Sequence, residues 1–478
     1  MTKADLYSIL PLIIVSAAAI LLMLLIAVKR MHFLTYFFTL VTYALAFISL
    51  SYILPVLPYE ISTIVLIDGY AVFFQLLIFA AGFVLTVFSY DYLLKYTENK
   101  EEYYILLLLA SLGASILVVS QHFVTLLLGL ELLSVSLYGM IAYTRLHSVS
   151  VEAGIKYLIL AAVSSAFLLF GMALIYAGTG SMNFYEIASR MIHATNIPVY
   201  LYVGFAMLVG GVAFKLALAP FHMWTPDVYQ GASAPVSGFI ASVSKGAVFA
   251  LLLRFFNIIE LRQFPTILSF FVVISVISMF AGNLLALMQK NIKRLLAYSS
   301  IAHLGYLLIA LIAGEEMGME AASFYLLAYM ITIIGAFGVV SAFSNEHREE
   351  ENISNYKGLF WKHPFLSVVF TGMLLSLAGI PLTAGFLGKF YVALAGIEAG
   401  RIGLIIILVV NSVIGLYYYL KVIVAMFSGD EKTKETPAEQ PVFSLRLLVI
   451  LSLLLVLLVW YGVFPQGMIA FIQRFVVL

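Results

Sequence analysis

Long apolar segments recur along this chain, and they constrain its fold more than any other feature. A helix needs about 20 mostly apolar residues to cross the hydrocarbon core of a bilayer. Fourteen such segments lie near residues 7–28, 32–54, 67–90, 103–120, 122–143, 153–177, 199–218, 234–256, 265–287, 295–313, 319–343, 363–397, 401–427 and 443–464. Only 10% of the residues are charged, against about 25% in an average soluble domain. The sequence therefore predicts an all-α polytopic membrane protein with about 14 transmembrane helices, embedded in the lipid bilayer.

The composition also excludes several classes of function. The chain has 25 basic and 24 acidic residues, which leaves no basic surplus for nucleic acid, so we expect no nucleic-acid partner. It has no cysteine, which removes disulfides, thiolate-bound metals, iron–sulfur ligation and cysteine nucleophiles. No metal-binding motif is present, and we expect neither a metal nor a cofactor in this chain.

The remaining basic residues set the expected orientation. If the connection with Lys29 and Arg30 is cytoplasmic and the sides alternate from there, sixteen lysines and arginines fall on that side. Six fall on the other side, namely Lys3, Arg190, Arg254, Arg262, Arg401 and Arg474. Because basic residues concentrate on the cytoplasmic side of membrane proteins, we predict that both termini lie outside the cytoplasm.

Four charged residues fall inside apolar segments, so they cannot be explained as residues of connections that set the orientation of the chain. They are Glu131, Lys215, Lys245 and Lys389. A charge near the bilayer centre costs roughly 2.5–3.5 kcal/mol on insertion scales, and such residues mark ion or proton pathways. A long lysine near a helix end can instead extend its ammonium to the interface, which is our interpretation of Lys156 and Lys421.

Lysine is suited to carrying a proton in such a place. Burial favours the neutral amine, whereas a nearby carboxylate favours the charged ammonium. A glutamate that moves toward or away from a lysine would therefore switch it between holding and releasing a proton. We predict a Glu131–Lys215 pair followed by Lys245 and Lys389 as a relay.

Two of these lysines lie beside helix-breaking residues. GGVAFKLALAPFHMWTPDVYQG (210–231) places prolines after Lys215, and SLAGIPLTAGFLGKFY (376–391) places Gly379, Pro381 and Gly385 before Lys389. Proline removes a backbone donor and breaks the helical ladder, and irregular backbone at membrane depth occurs where it lies in protein or lines a cavity. The sequence predicts that helices 7 and 12 are discontinuous.

The spacing of these residues indicates an internal repeat. Glu131 and His303 are 172 residues apart, Lys215 and Lys389 are 174 apart, and Lys245 and Lys421 are 176 apart. We predict helices 1–3 over residues 1–100, a first five-helix repeat over 101–258, a second and inverted repeat over 259–428, and a polar linker with helix 14 over 429–478.

His303 is a further candidate for the relay. Ser299, His303 and Tyr306 occur at i, i+4 and i+7, so they line one face of helix 10, and the repeat aligns His303 with Glu131. The other polar features are given structural roles. Asp68 and Asp227 are interpreted as helix caps, and EHREEE (346–351) as a solvated loop.

Several of these motifs resemble the antiporter-like subunit N family of bacterial NADH–quinone oxidoreductase (respiratory complex I). They are GLELLSVSLYG, EAGIKYLIL, FKLALAPFHMWTPDVYQGA, KNIKRLLAYSSIAHLGY and SLAGIPLTAGFLGKFY. The resemblance runs from the first helix to the last. It implies fourteen helices, two inverted five-helix repeats, and a proton relay at Glu131, Lys215, Lys245 and Lys389. Lys389 favours N over the related subunit M, where glutamate is usual, and Lys156 and Lys293 match positions that we interpret as cytoplasmic anchors.

The resemblance also implies partners and a location. We expect a translocase subunit without its own redox centre, in the bacterial inner membrane with periplasmic termini. NADH, FMN, iron–sulfur clusters and quinone would then bind in partner subunits, and the neighbours would be subunits M and K and the lateral helix of subunit L. Two alternatives stay open: a subunit of a multisubunit sodium–proton antiporter, and a structural subunit that conducts nothing.

Overall fold

The computed structural model describes residues 2–96, 99–145, 148–194, 196–344, 350–429 and 443–476. Within these ranges the chain is almost entirely helical. In chain order the helices are α1 Lys3–Ser8, α2 Leu10–Val28, α3 His32–Ile53, α4 Gly69–Tyr96, α5 Glu102–Val118, α6 Phe123–Ile141, α7 Ser148–Thr179, α8 Phe184–Ile192, α9 Val199–Leu216, α10 Thr225–Gly231, α11 Ala234–Phe239, α12 Lys245–Ile258, α13 Pro265–Leu287, α14 Ile292–Ala313, α15 Glu315–Phe343, α16 Leu359–Lys362, α17 Pro364–Ala378, α18 Ala384–Glu398, α19 Ile402–Phe427, α20 Leu445–Val463 and α21 Gln466–Val476.

Each of the fourteen predicted segments lies on a helix. In the described residues, 12 helical segments are long and apolar enough to cross a membrane. Two shorter apolar helices, α5 and α17, lie at the fourth predicted segment and at the start of the twelfth. The predicted polytopic all-α class is therefore confirmed.

Burial separates the helices into a central group and an outer group. The most apolar window of Ala234–Ile258 is completely buried, and the corresponding windows of α14 and α15 are 94% buried. In α2, α7 and α20 only about a third of the corresponding window is buried, and their exposed side chains are apolar. The exposed apolar faces of the outer helices are suited to contact with lipid. The central helices are surrounded by protein, which shields their polar residues from lipid.

The two predicted helix breaks are present. α9 ends at Leu216, where Ala217 takes a left-handed conformation (φ 59°), and the chain resumes as α10. α17 ends at Ala378 before Gly379 (φ 84°), and α18 begins at Ala384. A third irregularity was not predicted: a π-helical turn, Ile240–Ser244, joins α11 to α12 directly before Lys245.

Short elements at the chain surface were also missed. A two-stranded antiparallel hairpin pairs β1 (Tyr59–Ile61) with β2 (Val65–Ile67). The amphipathic helices α8 and α21 are too short to span a bilayer, so a search for long apolar segments does not find them. The predicted polar linker cannot be compared, since 430–442 lie outside the described residues.

The helices alternate in direction, which defines two ends of the bundle. We call the end that holds the α2–α3 connection, with Lys29, the lysine-rich end. The α13–α14 connection, the segment 350–358 and the end of α19 lie at this same end. The opposite end holds the hairpin, α8 and α21.

Candidate functional site

Lys215 lies in the last turn of α9, at the first helix break, and it is 5% exposed. The break is stabilised without it. The indole Nε1 of Trp224 donates to the carbonyl of Phe214 (2.9 Å), and the amide of Leu218 donates to the carbonyl of Ala213 (2.8 Å). The ammonium of Lys215 is therefore left to interact with another helix.

Its partner is a serine of α6. Lys215 Nζ donates to Ser134 Oγ at 2.8 Å, while the carboxylate of Glu131 accepts from Ser165 Oγ of α7 at 2.6 Å. Among the ion pairs of the described residues, none joins Glu131 to Lys215. In this structure hydroxyls of α6 and α7 bind the two groups, so Glu131 and Lys215 of the predicted pair are not in direct contact. Since Ser134 follows Glu131 by one helical turn, both groups still belong to one cluster.

Lys245 is the most deeply buried of the three lysines, with 1% exposure. It follows the π-helical turn, and its Nζ donates to Ser300 Oγ of α14 at 2.7 Å. The ammonium also lies over the ring of Tyr229, 5.3 Å from the centroid. π-helical turns often occur at functional sites, and here the turn directly precedes Lys245, the most deeply buried of the three lysines.

His303 joins α14 to α15 and α19. Its Nδ1 contacts the hydroxyl of Tyr325 at 2.6 Å and its Nε2 contacts the hydroxyl of Tyr419 at 3.2 Å. Ser299 bonds the same Tyr419 hydroxyl, so the predicted polar face of this helix is confirmed for Ser299 and His303. Tyr306 extends that face, and its hydroxyl accepts from Asn283 at 2.8 Å.

Lys389 lies in α18 and bonds back to the end of the other half of its broken helix. Its Nζ donates to the carbonyls of Leu377 and Ala378, both at 2.9 Å. The same ammonium lies 5.3 Å from the ring centroid of Tyr306. A cation at a helix C-terminus is stabilised by the free carbonyls and by the helix dipole.

Helix α14 therefore connects two of the buried lysines. Ser300 contacts Lys245, Tyr306 contacts Lys389, and His303 lies between them, with its ring centroid 5.5 Å from that of Tyr306. We call this set the α14 axis. Lys215 and Glu131 form a separate cluster with α6 and α7, and no direct hydrogen bond joins it to Lys245 within the described part of the chain.

The neutral partners in these clusters were not identified from the sequence. They are Ser134, Ser165, Ser300, Tyr325 and Tyr419. Hydroxyl side chains are common in membrane helices, and they often bond to their own backbone. Only the spacing of Ser134 from Glu131 and of Ser300 from His303 gave a signal.

A second polar cluster lies at the lysine-rich end. Asp227 of α10 accepts from Lys156 (3.0 Å) and from Arg294 (2.7 Å). Partial burial opposes ionisation of Asp227, but these hydrogen bonds outweigh burial and lower the pKa of its carboxyl. Asp227 is thus a link between α7, α10 and α14, and the predicted cap was an incomplete interpretation.

Lys293, predicted as a cytoplasmic anchor, is buried. Its Nζ donates to the carbonyl of Ala232 (2.6 Å) and pairs with Glu351 at 3.6 Å. Glu350 is 9% exposed, so the described part of the EHREEE segment is not simply solvated; 346–349 lie outside the described residues. Lys156 is 44% exposed at its side chain and Lys421 is also exposed, which agrees with the interfacial position predicted for both.

Arg254, counted above among the basic residues of the non-cytoplasmic side, lies inside α12 near its end with 5% exposure. Two hydrogen bonds join it to Asp68, at 2.7 and 3.0 Å, and Asp68 also caps α4 by accepting from the amide of Ala71. Near a helix end, a paired arginine cannot be told from a loop residue by sequence alone.

The acidic and histidine residues do not converge. Within the described ranges, no three residues of the His, Cys, Asp or Glu type are grouped to hold a metal ion. The buried clusters contain amines, an imidazole and hydroxyls, which are groups that can exchange protons.

Comparison with known proteins places this arrangement in a family. The family described as "NADH:quinone oxidoreductase/Mrp antiporter, TM" matches residues 120–415. The chain belongs to this family. The matched range contains Glu131, Lys215, Lys245, His303 and Lys389.

Individual relatives agree with that family over nearly the whole chain. The NADH-quinone oxidoreductase subunit N of Ectopseudomonas mendocina (strain ymp) is 44% identical over 99% of this chain and 97% of its own length. This chain is thus a homologue of an antiporter-like membrane subunit of a respiratory complex, with many membrane-crossing helices.

Solved structures show the same fold. Respiratory complex I from Thermus thermophilus with bound aureothin contains a chain that is 32% identical, with a TM-score of 0.82 over 96% of this chain and 98% of that one. A chain of the membrane-bound sulfane sulfur reductase, an archaeal respiratory membrane complex, is 25% identical (TM-score 0.85, 99% and 97% covered). A chain of the Mrp complex from Dietzia sp. DQ12-45-1b is 20% identical (TM-score 0.85, 99% and 97% covered) and shares the fold.

Proposed function

We propose that this chain moves protons across the membrane as an antiporter-like subunit of an NADH–quinone oxidoreductase. The observation that carries the proposal is the α14 axis, in which Lys245 and Lys389 are joined through Ser300, His303 and Tyr306 inside the most buried helices. Lysine and histidine exchange protons, and the hydroxyls of Ser300, Tyr325 and Tyr419 beside them offer further short steps.

The roles of the residues follow from their contacts. Lys245 and Lys389 hold the proton in turn, and His303 passes it between them through its hydroxyl partners. Glu131 and Lys215 form the entry cluster, where the charge of Glu131 acts on Lys215 without direct contact. Movement of Ser134 or Ser165 would change the distance between those two charges and so the protonation of Lys215.

The energy comes from elsewhere in the assembly. Moving one proton against 100 mV requires about 2.3 kcal/mol, and this chain offers only sites that bind and release protons. We infer that NADH, FMN, iron–sulfur clusters and quinone bind in partner subunits, and that subunits M and K and the lateral helix of subunit L are the membrane neighbours. The chain would lie in the bacterial inner membrane with both termini periplasmic.

The paired helix breaks support the proposed repeat organisation. Helices 1–3 (1–100) precede a repeat over 101–258 and an inverted repeat over 259–428, followed by the linker and helix 14 (429–478). Lys215 and Lys389 each lie beside a left-handed residue that ends a membrane helix. Breaks of this kind at the midplane are typical of inverted-repeat transporters.

Replacement of Lys245 tests the proposal. In Lys245→Arg the positive charge remains but cannot be released, because arginine stays protonated in proteins. We expect the assembled complex to contain the variant and to pump fewer protons per NADH oxidised, measured in inverted membrane vesicles. Lys29→Arg, an exposed lysine at a helix end, is the matched control. Normal pumping by both Lys245→Arg and Lys245→Ala would contradict the relay.

The alternative of sodium–proton exchange predicts a different dependence. Sodium prefers oxygen ligands, whereas the α14 axis presents two ammonium groups that repel a cation. We therefore expect pumping that is independent of sodium concentration. A proton flux that rises with an imposed sodium gradient in the absence of NADH would favour the antiporter.

A further inference from the structure

A cavity of about 520 Å³ opens at the lysine-rich end of the bundle, away from the α14 axis. It lies between the α13–α14 connection, the segment 352–357 and the end of α19. The residues that give it its character are Lys290, Ser354, Lys357, Lys421, Val424 and Ser428. We call it the three-lysine cavity.

Backbone hydrogen bonds fix the walls of this cavity. The amide of Ile353 donates to the carbonyl of Lys290 (2.9 Å), and the amide of Gly358 donates to the carbonyl of Ala425 (3.1 Å). These bonds tie the middle segment to both of its neighbours. The three lysines therefore lie on segments whose backbones are hydrogen-bonded to one another.

The lysines of this cavity differ from others at the same end of the bundle. Lys290, Lys357 and Lys421 are exposed, and within the described residues none of their side chains makes a hydrogen bond or an ion pair. Lys156 and Lys293 are both paired with carboxylates. Like charges around one cavity repel each other, so an anion bound among them would stabilise the arrangement.

Below the cavity the surface is apolar. Val413, Tyr417 and Lys421 follow one another at intervals of four residues on α19 and share one face, and Val413 and Tyr417, on the membrane side of Lys421, are 66% and 65% exposed. Leu284, in the last turn of the neighbouring α13, and Met288, directly after that helix, are exposed as well. An anion held by Lys421 would thus sit directly above a surface suited to hydrocarbon chains.

We propose that the three-lysine cavity binds the phosphate headgroup of an anionic phospholipid, whose acyl chains lie along the exposed faces of α19 and α13. Clusters of basic residues at the membrane surface attract acidic lipids. The exposed apolar faces of α19 and α13 below the cavity favour a lipid over a free phosphate ion, because a soluble ion would gain nothing from them.

Lipid retention tests the proposal. The assembled complex is reconstituted in nanodiscs of phosphatidylcholine with a minor fraction of phosphatidylglycerol, stripped with detergent, and analysed for bound lipid by native mass spectrometry. We expect retained phosphatidylglycerol in the wild type, and about fivefold weaker binding for each of Lys290→Gln, Lys357→Gln and Lys421→Gln. Lys421→Arg should retain the lipid, and Lys29→Gln is the control at the same end.

Four results would overturn the proposal. Equal retention of phosphatidylcholine would show that the phosphate charge is not recognised. Displacement of the lipid by inorganic phosphate alone would indicate a site for the free ion. Cross-linking of Lys421 to a carboxylate of a partner subunit in lipid-replete complex would identify a protein partner, and unchanged retention in the triple Gln variant would exclude the cavity.

Discussion

The two broken helices use the same device but assign the lysine different tasks. At the first break, Trp224 and the backbone satisfy the carbonyls that the break leaves free, and Lys215 bonds to Ser134 of another helix. At the second break, Lys389 itself bonds the carbonyls of Leu377 and Ala378. In the described residues these two carbonyls have no other donor.

At the first break, proton binding by Lys215 is therefore independent of the bonds that stabilise the helix end. At the second break, proton binding and stabilisation of the helix end depend on the same side chain, Lys389. A change in the charge of Lys215 alters its bond to a serine that already bonds its own helix, through the carbonyl of Leu130. A change in the charge of Lys389 alters the cap of α17. We therefore expect proton movement through Lys389 to shift the helix end.

The largest expected effect comes from replacing each lysine with methionine, which removes the ammonium donor. Lys389→Met leaves two carbonyls unpaired at nearly constant volume, and we expect it to lower the free energy of unfolding by about 2–4 kcal/mol. Lys215→Met leaves Ser134 satisfied and removes a buried charge, so its stability should be unchanged or higher. Thermal unfolding of purified complex measures both, and equal destabilisation would contradict the comparison. Both variants should lose pumping.

The next-largest effect on stability is expected from the two residues with positive φ at the breaks. Gly379→Ala places a side chain at φ 84°, with its Cβ 2.9 Å from Cδ of Lys389. We expect a loss of about 1–3 kcal/mol from backbone strain and this contact. Ala217→Gly is the matched change at φ 59°, where strain is relieved. A Gly379→Ala protein as stable as Ala217→Gly would show that the second break adapts.

Trp224→Phe tests the independence of the first break. It removes the indole donor to the carbonyl of Phe214, which still accepts from the amide of Ala217 (2.9 Å). We expect a loss of about 1 kcal/mol in the free energy of unfolding and near-normal pumping, as measured by denaturation and by proton uptake into vesicles. Loss of pumping without loss of stability would show that Trp224 acts on Lys215.

The smallest expected effect concerns Asp227, whose ion pairs hold α10, the helix after the first break. The helix after the second break, α18, makes no ion pair in the described part of the chain. Since the folded pKa of Asp227 is lowered, its contribution is present above the ordinary aspartate pKa and is lost as the pH falls through the folded value. Asp227→Asn should lower stability by less than about 1 kcal/mol at pH 7, because the group is partly exposed. This difference from wild type should shrink as the pH falls below the ordinary aspartate pKa, and a constant difference would exclude the ion pair as its cause.

The residues of the candidate site were predictable to the extent that they are charged. Lys245 and Lys389 stand out because a charge in an apolar segment is expensive, and proline and glycine mark the breaks beside Lys215 and Lys389. The serine contacts of Glu131 and Lys215 and the pairing of Arg254 with Asp68 were not predicted. In both cases the deciding partner, Ser134, Ser165 or Asp68, comes from another helix or from the start of one, where sequence spacing gives no distance.

By itself the sequence determined the all-α membrane class, the approximate bounds of the apolar helices, the places where two of them break, and which side chains resist burial. These follow from local chemistry, since apolar length, missing backbone donors and charge are properties of one segment. Only the tertiary structure decided that Lys389 caps a helix end, that α14 contacts two lysines, and that three more lysines line one cavity. Such relations depend on contacts between helices, some of them 55 or more residues apart, and packing is set by the whole chain.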